Sequence, residues 1–236
     1  MATFLEGVRE LARECRLPSR PSTVIDQRGD FLDIVTWYNK AWEDIQRRHK
    51  WRWLRHTASV STVEDDDTYA YGSFTDATSG AAITRFRCWL ADSDDDPPKI
   101  YLSSSGVGGE RWLAFHEWDW FKALYRIGTQ NSGQPAFITV DPSNRLVIGP
   151  APNGVYVVTL DYIRGIQTLA LNGDTPEMPA DYHDLIVYAA LIKYAYQEVS
   201  AESLAFAREE YKRLMSQLER EQSPNLAIRW GGPLVK

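Results

Sequence analysis

Residues 30–49 read DFLDIVTWYNKAWEDIQRRH, and this stretch decides how the ends of the chain fold. Its apolar side chains recur every three or four residues, as they do when one face of an α-helix is buried. Basic residues close the stretch, which suits the C-terminal end of a helix dipole. The pattern predicts an amphipathic helix from Asp30 to about His49, with a buried face of Phe31, Ile34, Val35, Tyr38, Ala41, Trp42 and Ile45.

Three more helices are predicted near the two ends of the chain. Thr3 and Glu6 have the spacing of a capping box, which opens a helix that ends before Pro18. Helical periodicity returns over residues 181–200 and again over 201–222. Each of these helices has an apolar stripe that must be covered, so the sequence predicts that the four helices form one bundle.

The middle of the chain has a different pattern. Short segments rich in β-branched and aromatic residues alternate with turns of Asp, Gly and Pro. Residues 116–127 predict one short helix among them, and residues 141–144 predict a tight hairpin turn. The predicted strands are Thr57–Val63, Ala81–Leu90, Lys99–Ser103, Phe137–Val140, Arg145–Ile148 and Val155–Ile163.

Together these patterns predict an α+β fold. The N- and C-terminal helices build a helical bundle, and a β-rich domain is inserted between them. We expect residues 1–50 and 179–222 to form the two parts of the bundle and residues 51–178 to form the inserted domain, with an extended C-terminal tail at 223–236.

Composition excludes several classes of protein. The chain has 236 residues, is 44% hydrophobic and carries a net charge of -6, which is typical of a folded protein and not of a disordered one. No apolar run approaches the roughly 20 residues that a bilayer span needs. Cys15 and Cys88 lack the spacing of a zinc site. We expect synthesis in a reducing host cytoplasm and no membrane partner.

Charge is unevenly distributed along the chain. Residues 57–178 carry 16 acidic and 8 basic side chains, which argues against binding of a phosphate backbone by this segment. A basic run with interleaved indoles, Arg47 to His56, could stack on nucleic acid and form a nucleic-acid-binding module. Alternatively, the cations end a helix while Trp51 and Trp53 enter the core or a subunit contact. The acidic net charge favours this second interpretation.

Motifs of known catalytic and cofactor sites are absent from the sequence. Asp92, Asp94 and Asp96 alternate like calcium ligands, but the turn-making Gly and the bidentate Glu of such a loop are missing. Glu117 and Asp119 could serve a peptidoglycan-lytic enzyme, although side chains two apart on a helix do not face each other. We therefore expect no catalytic residue, no cofactor and no metal site.

Aromatic residues are abundant. Nine Trp and 12 Tyr are more than one small core buries comfortably, and both types are enriched where proteins meet proteins. The C-terminal tail is also apolar, which makes it unsuited to free exposure in water. These features indicate a component of a protein assembly.

A series of aromatic and proline-containing motifs runs in order over roughly residues 4–222. The series consists of Phe4-Leu5, Trp37–Trp42 with Ile45-Gln46, Trp51–Leu54, Trp118–Phe121 with Tyr125-Arg126, Gln134–Phe137, Leu146–Pro152, Tyr156–Tyr162, and Pro176–Pro179 with Tyr182–Tyr188. In this order the sequence resembles bacteriophage head-to-tail adaptors, the portal-docking connector proteins that include the tail tubular protein A type.

The resemblance implies a structural virion protein without turnover chemistry. It implies a homo-oligomeric ring of roughly twelve copies at the head-to-tail interface, joined to the portal protein and to tail or nozzle proteins, with double-stranded DNA passing through during ejection. It also implies that the C-terminal tail reaches the portal. The expected docking residues are Leu226, Ile228, Arg229, Trp230 and Leu234, and the expected subunit or tail contacts are Trp51, Trp53, Trp118 and Trp120.

Overall fold

A computed structural model describes residues 2–93, 96–128, 130–198 and 201–222. By their internal contacts, the described residues form two units. The helical unit comes from the described residues up to Trp53 and from Gln167 onward, and the β unit comes from the described residues of Leu54–Ile166. The predicted α+β class is confirmed, because helices from both ends of the chain pack together and the strands come from the sequence between them.

The predicted helices are all present, with ends that differ by a few residues. In the helical unit α1, α2, α4 and α5 pack against one another, while the short α3 belongs to the β unit. The bounds are α1 Phe4–Glu14, α2 Asp30–Arg48, α3 Trp118–Tyr125, α4 Asp184–Glu198 and α5 Ala201–Gln222.

The first helix begins as its sequence predicts. The Thr3 hydroxyl accepts a hydrogen bond from the backbone N–H of Glu6 at 3.3 Å, and the Glu6 carboxylate accepts one from the Thr3 N–H at 2.8 Å. These reciprocal bonds form the predicted capping box. The next N–H groups, of Phe4 and Leu5, donate to backbone carbonyls of the segment 172–174. A distant loop thereby satisfies helix-terminal donors that have no partner within the helix.

Helix α4 is more deeply buried than its pattern predicts. The sequence indicates a single stripe through Leu185, Ile186 and Ala189, but α4 contacts α1, α2 and α5 and is covered on several sides. A helix with three helical neighbours needs apolar residues around most of its circumference. Its fully covered residues are Leu185, Ile186, Val187, Ala190, Leu191 and Ala195.

Two amides of α2 hold the chain where it re-enters the helical unit. Gln46 donates to the backbone carbonyl of Gln167 at 2.9 Å and accepts from the Gln167 N–H at 2.7 Å. Asn39 makes the same two bonds with Leu169, at 2.9 and 3.2 Å. Each side-chain amide therefore pairs with a backbone peptide group as a neighbouring strand would. This pairing places residues 167–169 along α2.

Two sheets form the β unit. One has the strand order β3-β1-β10-β5-β6, with β4 also paired to β10, and the other has the order β2-β9-β8-β7. The strands are β1 Arg55–Ser61, β2 Thr68–Tyr69, β3 Thr75–Asp76, β4 Cys88–Trp89, β5 Lys99–Leu102, β6 Arg111–Trp112, β7 Ala114–Phe115, β8 Phe137–Val140, β9 Leu146–Gly149 and β10 Tyr156–Ile163. All pairs are antiparallel except β7 with β8.

The segment Ala81–Leu90 is not the long strand that its alternation predicts. Cys88–Trp89 pairs with Tyr162 and Ile163 of β10, and Ala82 forms a single bridge with Thr75. The register that pairs Trp89 with Tyr162 would place residues 81–87 opposite residues 164–170, which lie beyond the end of β10 at Ile163. The rest of the segment contributes aromatic packing instead, with Phe86 4.7 Å from Trp89 between ring centroids.

The hairpin predicted at residues 141–144 connects β8 and β9. One oxygen of the Asp141 carboxylate accepts hydrogen bonds from the backbone N–H groups of Ser143 and Arg145, and the other pairs with the Arg145 guanidinium at 2.7 Å. Burial raises the pKa of Asp141, but these hydrogen bonds outweigh burial and hold the pKa below its usual value. Asn144 takes the left-handed conformation with φ of 58°, which Asn tolerates better than most residues.

Candidate functional site

One stretch of the β unit's sequence contains several exposed large apolar side chains. Trp112 is 72% exposed, Ile127 66%, Val107 65% and Trp120 41%, and all of them fall within residues 102–127. Large side chains of this kind are normally covered in a folded protein or mark a surface that meets another molecule. We refer to the exposed apolar residues of this segment as the aromatic surface, which comprises Leu102, Val107, Trp112, Trp120, Leu124 and Ile127.

A groove adjoins the aromatic surface at Trp112. It has a volume of about 540 Å³ and is lined mainly by small and apolar side chains. Its wall includes Pro97, Trp112, Phe115 and Ala136. Concave apolar surfaces beside an exposed Trp are typical of the centre of a protein interface.

Helix α3 is anchored so that Trp120 faces outward. Phe121 is fully buried and packs against β9, where a Cβ atom on Gly149 would lie only 2.8 Å from the Phe121 ring. Gly149 therefore permits the close approach of α3 to the sheet. With Phe121 directed inward, Trp120 lies at the surface, where it stacks on His116 at 3.8 Å between ring centroids. Trp118 is half-buried.

The basic run does not present its indoles for stacking. Trp51 is fully buried and donates its indole N–H to the Ile45 carbonyl at 2.7 Å, and Trp53 is half-buried and stacks on Trp51 at 4.7 Å. Cations of the run are already paired with carboxylates, including Arg47 with Glu43 at 3.0 Å. The structure thus favours the interpretation in which the run ends α2 and contributes to the core.

Further cations of this run have carboxylate partners. In the helical unit, Arg48 and His49 both contact Glu219 of α5, at 3.4 and 3.0 Å. In the β unit, Arg55 contacts Asp161 of β10. A cation that is held by a carboxylate of its own chain has less attraction for a phosphate.

A polar cavity of about 280 Å³ in the β unit contains His56, Asp76 and Tyr162. His56 Nδ1 lies 3.0 Å from one Asp76 oxygen, while the other oxygen accepts hydrogen bonds from the backbone N–H groups of Thr78 and Ser79 and from the Ser79 hydroxyl. Burial alone would raise the pKa of Asp76. The hydrogen bonds from Ser79 and Thr78 and the charge of the neighbouring His56 together have the larger effect, so the pKa lies below its usual value. The Ser79 hydroxyl donates to the carboxylate instead of to the imidazole, so the cluster stabilises a turn and does not activate a nucleophile.

Other candidates from the sequence are dispersed. Glu117 and Asp119 are both exposed, so neither carboxyl lies in the apolar enclosure in which a general acid works. Asp96 pairs with Lys99 at 3.3 Å and with Arg55 at 3.7 Å, and Asp94 lies outside the described residues. Within the described ranges, no group of three or more His, Cys, Asp or Glu side chains is arranged to hold a metal ion.

The predicted portal-docking residues lie in a part of the chain that the structure does not describe. They are Leu226, Ile228, Arg229, Trp230 and Leu234, and the description ends at residue 222.

Sequence reasoning missed Trp112 as a surface residue. It lies in a strand of two residues, and so short a strand has no alternation from which the exposed side can be assigned. The nearby Gly-rich turn at 106–109 was the available signal that this segment leaves the core.

Among the helices of the described segments, none combines the length and the apolar character needed to cross a bilayer.

Comparison with known proteins assigns the chain to a family. No curated protein matches the sequence. A family model described as SU10 adaptor protein matches residues 2–235, nearly the whole chain. This family consists of phage head-tail adaptors and is structural rather than catalytic, and the chain belongs to it.

Proposed function

We propose that this protein forms a ring of roughly twelve copies beneath the portal protein, joins the portal to tail or nozzle proteins in the manner of the tail tubular protein A type, and lines the channel through which DNA leaves. Membership of the adaptor family over residues 2–235 is the observation that carries this proposal. Its site of action is the head-to-tail interface of the virion.

The aromatic surface supports a role in assembly. In a ring with cyclic symmetry, each copy uses two different patches to contact its two neighbours. Trp112 and Trp120 supply the large exposed side chains on which such contacts depend. Among the other Trp residues proposed for these contacts, Trp53 and Trp118 are half-buried, and the buried Trp51 supports Trp53 from the core side.

Charge in the β unit suits a channel for DNA. Residues 54–166 carry 14 acidic and nine basic side chains. Each contact of a phosphate with Lys or Arg adds affinity, so a surface with excess acidic groups lets DNA move past without being retained.

The C-terminal tail is the element that we propose for portal docking. We expect that removal of residues 225–236 leaves the fold intact, since the described helices and strands all end before this segment. We also expect it to abolish binding to the portal ring of the same phage. Native mass spectrometry of the adaptor mixed with the portal ring distinguishes the free portal from the portal with adaptor bound, because each bound copy of the full-length adaptor adds 26.9 kDa.

A full-length variant separates the effect of removing the tail from the effect of removing its apolar side chains. In this variant Leu226, Ile228, Trp230 and Leu234 are each replaced by Ser. We expect it to fail in docking like the truncated chain, because the apolar side chains supply the binding free energy. Docking by the truncated chain at the level of the wild type would refute the role of the tail. An unchanged portal mass with wild-type protein would refute the portal contact itself.

The aromatic surface provides a second test, directed at the ring. We expect that the paired replacement Trp112→Ser and Trp120→Ser reduces the affinity between copies by about a thousandfold, because truncation of interface aromatics costs ~2 kcal/mol each at a hot spot and each 1.4 kcal/mol is about tenfold. Analytical ultracentrifugation of the protein, with and without the portal, measures this change.

The matched control for this test is Val63→Ser, which removes an exposed apolar side chain of the β unit outside the aromatic surface. It should assemble like the wild type. The free energy of unfolding should change by only about 1 kcal/mol in either variant, since the replaced side chains are exposed. Equal assembly of both variants would contradict a contact through the aromatic surface.

A further inference from the structure

The groove at Trp112 lies where two paired segments of the β unit separate. The Leu113 N–H donates to the Pro98 carbonyl at 2.8 Å, which continues the pairing of β6 with β5 by one residue. The same register places Phe115 opposite Asp96, but no backbone hydrogen bond joins these two described residues. The wall of the groove takes residues 112–115 from one segment and residues 91–93 and 97 from the other. A strand that has lost its neighbour therefore borders the groove.

Strand β7 presents an open edge. It is the last strand of its sheet and pairs with β8 alone. Ala114 and His116 donate their backbone N–H groups to carbonyls of residues 136 and 138, both at 3.0 Å. Because the N–H groups of successive residues in a strand point to opposite sides, the N–H and the carbonyl of Phe115 point away from β8. Such an edge is a template on which an extended segment can add as a further strand.

The tail of this chain has the sequence pattern of such a strand. Leu226, Ile228 and Trp230 alternate with Ala227 and Arg229, which is the period of two that a strand with one covered face shows. Glycines and a proline follow at 231–233, and these residues end a strand. Residues 223–236 span up to about 45 Å when extended, which is enough to reach a neighbouring copy.

Charges of the groove and of the tail are complementary. Residues 223–236 contain Arg229 and Lys236 and neither Asp nor Glu. The groove wall contains the exposed Asp92, and the sequence 92–96 has four Asp residues and no basic one. Opposite charges at the rim of a contact favour the correct partner and its orientation. Trp112 at the groove and the apolar side chains of the tail also need the same kind of cover.

We propose that residues 226–230 of a second copy bind in the groove at Trp112 as an added strand. The backbone of this segment pairs with the N–H and the carbonyl of Phe115, its apolar side chains cover Trp112, and Arg229 lies at the acidic rim. The contact forms in the free protein. The portal ring competes with the groove for the same segment, so the inference goes beyond the proposed function and does not depend on it.

The probe for the test is a fluorescently labelled peptide of residues 223–236. The host is the full-length variant in which Leu226, Ile228, Trp230 and Leu234 are Ser, because its own tail does not compete with the peptide. We expect saturable binding in fluorescence anisotropy. A peptide with the same four Ser replacements is the control and should bind at least about tenfold more weakly. No saturable binding, or equal binding of the two peptides, would overturn the proposal.

The position of the contact is tested in the same host. Trp112→Ser should weaken peptide binding by about thirtyfold, as expected for truncation of a central aromatic residue. Val63→Ser removes an exposed side chain that does not line the groove, and it should leave the affinity unchanged. Hydrogen exchange of the Phe115 amide, followed by NMR, should slow when the peptide binds. Equal affinity of the Trp112→Ser host and the parent host would overturn the assignment to this groove.

Backbone pairing is tested with two N-methylated peptides. One is methylated at the amides of residues 227 and 229, and the other at those of residues 228 and 230. In an added strand only one of these sets points toward Phe115. We therefore expect one peptide to bind about tenfold more weakly and the other to bind like the unmethylated peptide. Equal affinities of the two methylated peptides would overturn the added strand.

The assignment to a second copy is tested by mass, without the portal. Light scattering over a range of concentrations compares the wild type with the full-length variant that has four Ser replacements in the tail. The wild type should associate at concentrations at least about tenfold lower, because only its tail fills the groove of a neighbour. Equal masses of the two proteins throughout the range would overturn the assignment. Failure of portal docking would leave all of these measurements unchanged, so the two proposals are judged separately.

Discussion

Replacement of Trp51 by Ala should destabilise the helical unit by about 3–5 kcal/mol. Trp51 is among the largest fully buried side chains, and it packs between His49 at 4.8 Å and Trp53 at 4.7 Å between ring centroids. The substitution opens a cavity at the end of α2 and removes the hydrogen bond to the Ile45 carbonyl. Urea unfolding, followed by the helical circular dichroism signal, measures the loss.

The matched variants for this position are Trp51→Phe and Trp53→Ala. The first keeps an aromatic ring, so we expect it to lose about 1–2 kcal/mol through the indole N–H and the smaller volume. The second truncates a half-buried indole and should cost less than Trp51→Ala. An unfolding free energy for Trp51→Ala within about 1 kcal/mol of the wild type would show that Trp51 is not part of the core.

Replacement of Gln46 by Ala should cost about 2–3 kcal/mol. Gln46 is fully buried, and its amide satisfies both the N–H and the carbonyl of Gln167, 121 residues further along the chain. Ala leaves both backbone groups of Gln167 without these partners, while Asn39 still holds Leu169 on α2. Hydrogen exchange at the Gln167 amide, together with urea unfolding, measures the two consequences.

Asn39→Ala is the matched control for Gln46. It removes the same pair of bonds, here to Leu169, but Asn39 is only half-buried, so water can replace them and the cost should be about 1 kcal/mol. Equal losses in Gln46→Ala and Asn39→Ala would contradict the role that we assign to burial.

Gln46→Glu adds a test by pH. A buried carboxylate next to the Gln167 carbonyl has a raised pKa in the folded state, while in the unfolded state the pKa is near 4.3. The folded state then binds more protons, so stability is greatest below the unfolded pKa and falls as the pH rises through the folded pKa. Only the protonated acid can donate to the carbonyl as Gln46 does. If the difference in unfolding free energy between Gln46→Glu and the wild type does not change with pH, this account is refuted.

The assembly tests use side chains that are exposed, in contrast to the buried Trp51 and Gln46. Trp112 and Trp120 contribute little to the core, so their replacement separates assembly from folding.

Local patterns predicted most of the regular structure. The capping box of Thr3 and Glu6, the helix over residues 30–49 and the turn at 141–144 each depend on contacts between residues close in sequence. Such contacts are specified by spacing, and spacing can be read directly. The class of the fold followed from the same patterns.

The prediction failed where a partner strand ends or where one element has several neighbours. Ala81–Leu90 has the alternation of a strand, but the register that pairs Trp89 with Tyr162 leaves residues 81–87 beyond the end of β10 at Ile163. Helix α4 reads as a surface helix with one stripe, yet three helices cover it. Neither the end of a partner strand nor the number of neighbours can be read from the local sequence.

By itself, the sequence of this protein determined two helical ends, a β-rich middle and the absence of a motif for catalysis, because these follow from periodicity and residue type along the chain. Only the tertiary structure decided which aromatic residues lie at the surface and which amides hold residues 167–169 on α2. The physical reason is that burial and hydrogen bonding depend on segments that are distant in sequence, such as Gln167 for Gln46, and that come together only when the helices and strands pack.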